Sequence, residues 1–159
     1  MGRVYSWKSG AGFTLVELLV VIAIVGILAG VLVTLINPDI QLRKSRDTRR
    51  KSDLSQISTA LEFYRTDLGL YPLPGNNPGD FPACGNSLTG GTPPLTYMEK
   101  IPCDPLATVV VYPAYDYSSS GTAYSLIACL ENGSDPQKDS TNVAPCNGTS
   151  NFSYTVKNL

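Results

Sequence analysis

The chain has 159 residues, 12 Lys or Arg against 13 Asp or Glu, a formal net charge of -1 and no histidine. That length suits one modest domain, and without an overall basic excess only a local patch could attract nucleic acid. The missing imidazole excludes a Ser-His-Asp triad, a Cys-His pair and imidazole metal sites, and no nucleophile motif or glycine-rich phosphate loop points to catalysis.

The first twelve residues carry Arg3 and Lys8 and end in Gly10-Ala11-Gly12. Residues 13–36 are then apolar, interrupted by Thr14, Thr34, two glycines and a single charge, Glu17. As a helix they would extend about 36 Å, enough to cross a bilayer core of about 30 Å. A secretory signal places its small-residue cleavage site after the apolar run; here the small residues come before it. A cut at that place removes a basic leader, residues 1–12, and leaves the apolar segment at the start of the mature protein.

Glu17 is the informative residue of this span. A carboxylate in an apolar helix costs about 2.5 to 3.5 kcal/mol at mid-membrane and less toward the interface, so it needs a partner. A cut after Gly12 creates a cationic amine at Phe13, and in an assembly the amine of a neighbouring subunit would neutralise Glu17 inside an apolar helix bundle. The alternative is that Glu17 sits at headgroup level, as long polar side chains near the end of a span can. Gly26 and Gly30, extended by Ala23 and Thr34, form a small-residue face that lets helices approach closely, although glycine is also simply common in membrane helices.

The run from Gly12-Phe13-Thr14-Leu15-Val16-Glu17-Leu18 through Leu19-Val20-Val21-Ile22-Ala23-Ile24 resembles the class III signal of type IV pilins and type II secretion pseudopilins. The resemblance implies cutting after Gly12 by a prepilin peptidase and methylation of the new N-terminal residue, Phe13. It also implies an assembly role for Glu17, an inner-membrane assembly platform as partner, and a homo-oligomeric helical filament outside the membrane. It covers about the first quarter of the chain.

Asn37-Pro38 breaks the helical pattern, because proline removes a backbone donor and clashes with the preceding turn; a kink or local melting is expected there. The family often carries its proline slightly earlier, where this chain has Thr34. Leu54, Ile57, Leu61, Tyr64 and Leu68 then recur at spacings of three and four, one stripe of an amphipathic helix, which Gly69 stops. The expectation is one helix from about residue 14 to 68, kinked near Pro38, with residues 37–68 as its amphipathic continuation. Arg43, Lys44, Arg46, Arg49, Arg50 and Lys51 cluster on it with Asp47 as the lone acid. The plain reading is a membrane-flanking, solvated helix face or a contact with acidic surfaces of neighbouring subunits; DNA binding is the lesser alternative. Because Arg3 and Lys8 are also basic, charge does not orient the span, and the cysteines must place the C-terminal part in an oxidising compartment.

Residues 69–159 are rich in glycine, proline, serine, threonine and asparagine, so loops dominate this C-terminal domain. Residues 108–112, 114–118, 123–129 and 152–156 are strand candidates, their tyrosines and valines suiting half-buried sheet positions. The expected fold is α+β, a small antiparallel sheet lying on the long helix. Asp67-Leu68-Gly69-Leu70-Tyr71-Pro72, Ile101-Pro102-Cys103-Asp104-Pro105, Tyr115-Asp116-Tyr117 and Tyr124-Ser125-Leu126 resemble the major pseudopilin subgroup more loosely.

Cys84, Cys103, Cys129 and Cys146 show no Cys-x-x-Cys pair, which favours disulfides over zinc. Four cysteines allow three connectivities. Sequential pairing, Cys84 with Cys103 and Cys129 with Cys146, closes two loops each worth about 3 kcal/mol in the chain-entropy model and is preferred because each pair staples a proline- and glycine-rich segment with little regular structure; free buried thiols are the alternative. The resembled subgroup usually lacks these cysteines and holds a calcium ion in a C-terminal loop. Glu131, Asn132, Ser134, Asp135 and Asp139 supply oxygens there, but their spacing fits no defined calcium loop, and a solvated acidic turn without a cofactor is the simpler expectation. The two function classes are a structural filament subunit, pilus or secretion pseudopilus, and a membrane-tethered extracytoplasmic binding or enzymatic domain.

Overall fold

The computed structural model describes residues 12–35, 37–75, 79–107 and 115–158. Two helices come first: α1, Leu15–Leu35, and α2, Pro38–Leu68. The proline opens α2 at the first helical position, where its missing N–H is one of the unpaired donors of a helix start and its fixed φ suits the turn. The helical run ends at Leu35 and resumes at Pro38, which fits the kink or local melting expected at the proline. Gly69, at φ 84°, ends α2 in the left-handed conformation that only glycine adopts without penalty, and its N–H bonds the Arg65 carbonyl at 2.7 Å. The strand candidate 108–112 and residue 114 lie outside the described residues, as do Arg3, Lys8, Gly10 and Ala11 of the leader.

The chain divides into two compact units, residues 1–38 and 39–159. In the first, α1 is apolar on every side, and its apolar side chains, from Leu15 to Leu32, are exposed. Its 21 residues extend about 31 Å, the thickness of a bilayer core.

The second unit is built on α2. Leu54, Ile57, Ala60, Leu61 and Tyr64 lie along one face and are buried; each fully buried Leu or Ile stabilises by roughly 1.5 to 3 kcal/mol. Leu68 continues the sequence stripe but is partly exposed, because the helix ends there at the rim of the core. Among the described residues five strands form two antiparallel sheets. The first is a hairpin of β1, Leu88–Gly90, and β2, Leu95–Met98, which had no counterpart among the expected strands. The second has the order β3-β4-β5, with β3 Asp116–Ser119, β4 Tyr124–Leu130 and β5 Phe152–Lys157.

The central strand β4 is buried on both faces. Tyr124, Leu126 and Ala128 join the core formed with α2. Ile127 and Cys129, pointing the other way as alternate residues of a strand must, form a second cluster with Cys146. That double burial explains why β4 reads as a nearly continuous apolar run instead of an alternating one.

Candidate functional site

At the start of α1, Thr14 precedes the helix and its Oγ1 accepts a hydrogen bond from the Glu17 N–H at 3.2 Å. Thr14-x-x-Glu17 is therefore the start of a capping box, in which threonine caps the helix and a glutamate three residues on favours the same turn. The carboxylate also stands at the positive end of the helix dipole. This second role of Glu17 was legible in the Thr-x-x-Glu spacing and was missed. Phe13 and Leu15 are exposed beside it. A Cβ added at Gly12, Gly26 or Gly30 would meet nothing within 4 Å, so the small-residue face is open.

The basic cluster is split by the fold. Arg50, fully buried, places Nε 2.6 Å and Nη2 3.0 Å from the two Asp104 oxygens, and its Nη1 2.8 Å from both Asp47 and Glu131. Arg46 grips Glu131 bidentately at 2.6 and 2.5 Å. Lys51 Nζ lies 2.6 Å from both Asp135 oxygens and 3.0 Å from Gln137 Oε1. The expectation of a solvated helix face is corrected at Arg46, Arg50 and Lys51: acids from the C-terminal half meet them, and the buried stripe of α2 continues upstream as ions. Arg43, Lys44 and Arg49 stay exposed, Arg49 3.9 Å from Asp53.

Asp47 is bound twice over. Its carboxylate also accepts the backbone N–H groups of Glu131 and Asn132, both at 2.9 Å, and so fixes the end of β4 to α2. Burial alone would lower the Arg50 guanidinium, but its hydrogen bonds to Asp104, Glu131 and Asp47 outweigh it and raise its pKa. Burial opposes ionisation of Glu131 as well, yet the hydrogen bonds from Arg46 and Arg50 prevail and hold its carboxyl below the ordinary range. Asp135 is likewise depressed, Lys51 overcoming the effect of burial. Tyr115 donates to Asp53 at 2.7 Å; its burial and that hydrogen bond push its hydroxyl up.

Of the residues considered for calcium, Glu131 and Asp135 are held by Arg46, Arg50 and Lys51, and Asp139 accepts the Thr155 hydroxyl at 2.6 Å. Asn132 Oδ1 accepts the Ser134 N–H at 3.1 Å. Their oxygens thus face cations and donors of the chain itself, and among the described residues no group of three acidic or thiol side chains is placed to hold a metal ion. The same loop carries one disulfide, Cys129 to Cys146 with Cα atoms 5.4 Å apart. The other, Cys84 to Cys103 with Cα atoms 5.0 Å apart, fastens the segment that leads into and out of the hairpin. The acids that complete the network, Asp47, Asp53 and Asp104, were not singled out from the sequence. For Asp47 a signal existed, its spacing of three from Arg50 and of seven from Leu54.

Residues 7–33 match the family described as the prokaryotic N-terminal methylation motif. The chain is 33% identical over 140 residues to the type II secretion system core protein G of Pseudomonas aeruginosa, covering 83% of this chain and 94% of that protein. With the Escherichia coli protein of the same name it shares 32% identity over 125 residues, covering 69% and 80% respectively. With that of Klebsiella pneumoniae it shares 34% over 103 residues, covering 59% and 67%. No solved structure matches the chain.

Proposed function

The chain belongs to the type IV pilin and type II secretion pseudopilin family, and from that premise we propose how it is matured, where it resides and what assembles it. It is a structural subunit of a pseudopilus-type filament; the membrane-tethered binding or enzymatic domain is not favoured. In the proposed sequence it enters the inner membrane through α1, a prepilin peptidase cuts between Gly12 and Phe13, and Phe13 is methylated on its new amine. An inner-membrane platform then lifts it into an extracytoplasmic filament. It performs no catalysis and needs no calcium, its C-terminal loop being fastened by its own cations and a disulfide.

The observation that carries this reading is a helix exposed on every side with one carboxylate in its first turn. Such a surface needs apolar company, first lipid and then the α1 helices of other subunits. Glu17 then needs a cation, and the Phe13 amine of a neighbour supplies one.

The test is a pair of substitutions. Glu17→Gln keeps a residue suited to the third position of a capping box and removes the charge; Glu17→Ala removes both. Both are expected to accumulate in the inner membrane, cut at Phe13 by intact mass, and to be strongly depleted from sheared filaments. An unpaired buried amine costs roughly 3 to 5 kcal/mol. Normal filament yield from Glu17→Gln overturns the charge pairing, and a mature mass that retains Met1 overturns the processing.

A further inference from the structure

The two disulfides differ in what surrounds them. Cys129 and Cys146 are 3% and 6% exposed and pack with Ile127 on the face of β4 turned away from α2. The loop that carries Cys146 is laid along β5: the Ser153 N–H donates to Asn142 Oδ1 at 2.6 Å, and the Val143 N–H to Ser153 Oγ at 3.0 Å. The Cys146 N–H donates to the Val143 carbonyl at 3.1 Å. Cys84, by contrast, is exposed and Cys103 half-buried. A thiolate opens a disulfide only by attacking one of its sulfurs directly. It therefore meets the bond from Cys84 to Cys103 in the folded protein, and meets the other only after the loop has opened, which costs free energy that exposed segments do not bear.

The backbone around the exposed bond is also held by other means. The Gly85 N–H donates to the Ile101 carbonyl and the Ile101 N–H to the Asn86 carbonyl, both at 2.8 Å, closing the neck of the hairpin segment just inside the two cysteines. Ile101 is buried in the core, and Asp104, next to Cys103, holds Arg50 through both carboxylate oxygens. With the sulfurs parted, these contacts keep the two Cα atoms near their present 5.0 Å, inside the range that a disulfide spans. The pair is thus held ready to close again, as an intramolecular reaction at high effective concentration.

We propose that Cys84 and Cys103 form a thiol-disulfide exchange site of the folded protein, with Cys84 the sulfur attacked and a protein dithiol or protein disulfide as its reaction partner. In the reducing direction a thiolate of the dithiol bonds to Cys84 Sγ, the bond to Cys103 breaks, and its electron pair leaves on Cys103 Sγ, which takes up a proton. The second thiol of the partner, losing its own proton, then attacks the partner's sulfur in the mixed disulfide and frees Cys84. The protein bond has gained two electrons and two protons, and the dithiol has lost them. A protein disulfide drives the reverse. It follows that Cys129 and Cys146 are joined before their loop closes over β4, whereas Cys84 and Cys103 are joined, opened and rejoined after folding.

The experiment treats the full chain in detergent micelles with dithiothreitol, blocks the freed thiols with N-ethylmaleimide at a series of times, and locates the label by peptide mass mapping. Cys84 and Cys103 are expected to be labelled first, with Cys129 and Cys146 slower by at least about tenfold because they wait on an opening of the loop. In urea above the unfolding midpoint the two pairs are expected to react at similar rates. The species reduced only at Cys84 and Cys103 should keep its circular dichroism and, on transfer to glutathione disulfide, yield again the peptide that links the two. Single variants assign the sulfur: Cys84 in Cys103→Ser is expected to take glutathione from its disulfide faster than Cys103 does in Cys84→Ser. Simultaneous labelling of both pairs in the folded chain, or earlier labelling of Cys129 and Cys146, overturns the proposal. So does loss of the native spectrum when the first pair opens, or its failure to close again without unfolding. The reverse order in the single variants removes Cys84 as the sulfur attacked.

Discussion

Arg50 shows how far one side chain can be committed in this molecule. It has no exposed surface and is bonded to three carboxylates from three parts of the chain. A buried ion pair of this kind is weak evidence of net stability, yet removing one member is costly because the others stay buried without compensation. Arg50→Met is therefore expected to lose about 3 to 5 kcal/mol, read as a lowered urea midpoint of the detergent-solubilised chain; an unchanged midpoint would contradict the network. The acids give the matching pH dependence. Glu131 and Asp135 have folded-state values below their unfolded ones, so at any pH above the ordinary carboxylate range, about 4, their stabilisation is fully present. It is lost as the pH falls from there through the depressed folded values. Thermal unfolding at a series of pH values should be nearly flat from 7 to about 5 and fall steeply below about 4, and Lys51→Met should make the fall shallower. An equally steep fall in Lys51→Met would remove Asp135 from the account.

At the scale of elements, the hairpin of β1 and β2 sits on the far end of α2 with Leu88 in the shared core and the backbone of Gly90 in close contact. A Cβ at Gly90 would lie 2.5 Å from Tyr64 Cε2 and 2.8 Å from Leu68 Cδ1, a separation real Cβ atoms do not tolerate. Tyr64 is also held from its other end, its hydroxyl donating to the Gly79 carbonyl at 2.9 Å and its ring 5.0 Å from that of Tyr97, so it has little room to yield. Gly90→Ala is expected to destabilise by about 1 to 3 kcal/mol, as overpacking of a fixed core does. A calorimetric midpoint equal to that of the unaltered chain would show that the hairpin shifts freely. β4 is the opposite kind of element, clasped between α2 and the disulfide-bearing loop, with its end tied to Asp47. Its hydrogen bonds to both β3 and β5 leave no open edge to pair with other chains.

For the whole molecule, the contrast is between a unit that satisfies itself and one that cannot. Residues 39–159 hold the apolar core, the ion network and both disulfides, whereas α1 exposes its large apolar side chains from Leu15 to Leu32. The second unit should not depend on the first for its fold. A chain lacking residues 1–37 is expected to be a soluble monomer in detergent-free buffer by light scattering, with an unfolding midpoint matching that of the full chain in detergent. Aggregation of the truncated chain, or a midpoint lower by more than about 1 kcal/mol in converted stability, would show that α1 contributes to the core. Assembly, on this view, is the function of the unit that cannot satisfy its own surface.

Some of this was determined by sequence alone. Length and apolarity dictate a helix long and apolar enough to span a bilayer, because no fold of the remaining residues is needed to make such a segment insoluble in water. The stripe from Leu54 to Tyr64, the stop at Gly69 and the three strands of the second sheet were likewise legible, since each follows from local periodicity or from backbone conformation that only glycine takes. The break at Pro38 was legible too, because proline removes the donor that a continuous helix needs. What the tertiary structure alone decided is the fate of the charges. Arg43 and Arg50 are equivalent in composition and local propensity, yet one is exposed and the other is enclosed by Asp104 and Glu131, which stand 54 and 81 residues away along the chain. Periodicity treats a charged residue as an outward one, so a buried stripe that changes from aliphatic to ionic partway along a helix looks as if it has ended. Only the pairing partners brought by the sheet and its loops, at separations no local pattern spans, turn those cations inward and leave Arg43 and Lys44 facing out.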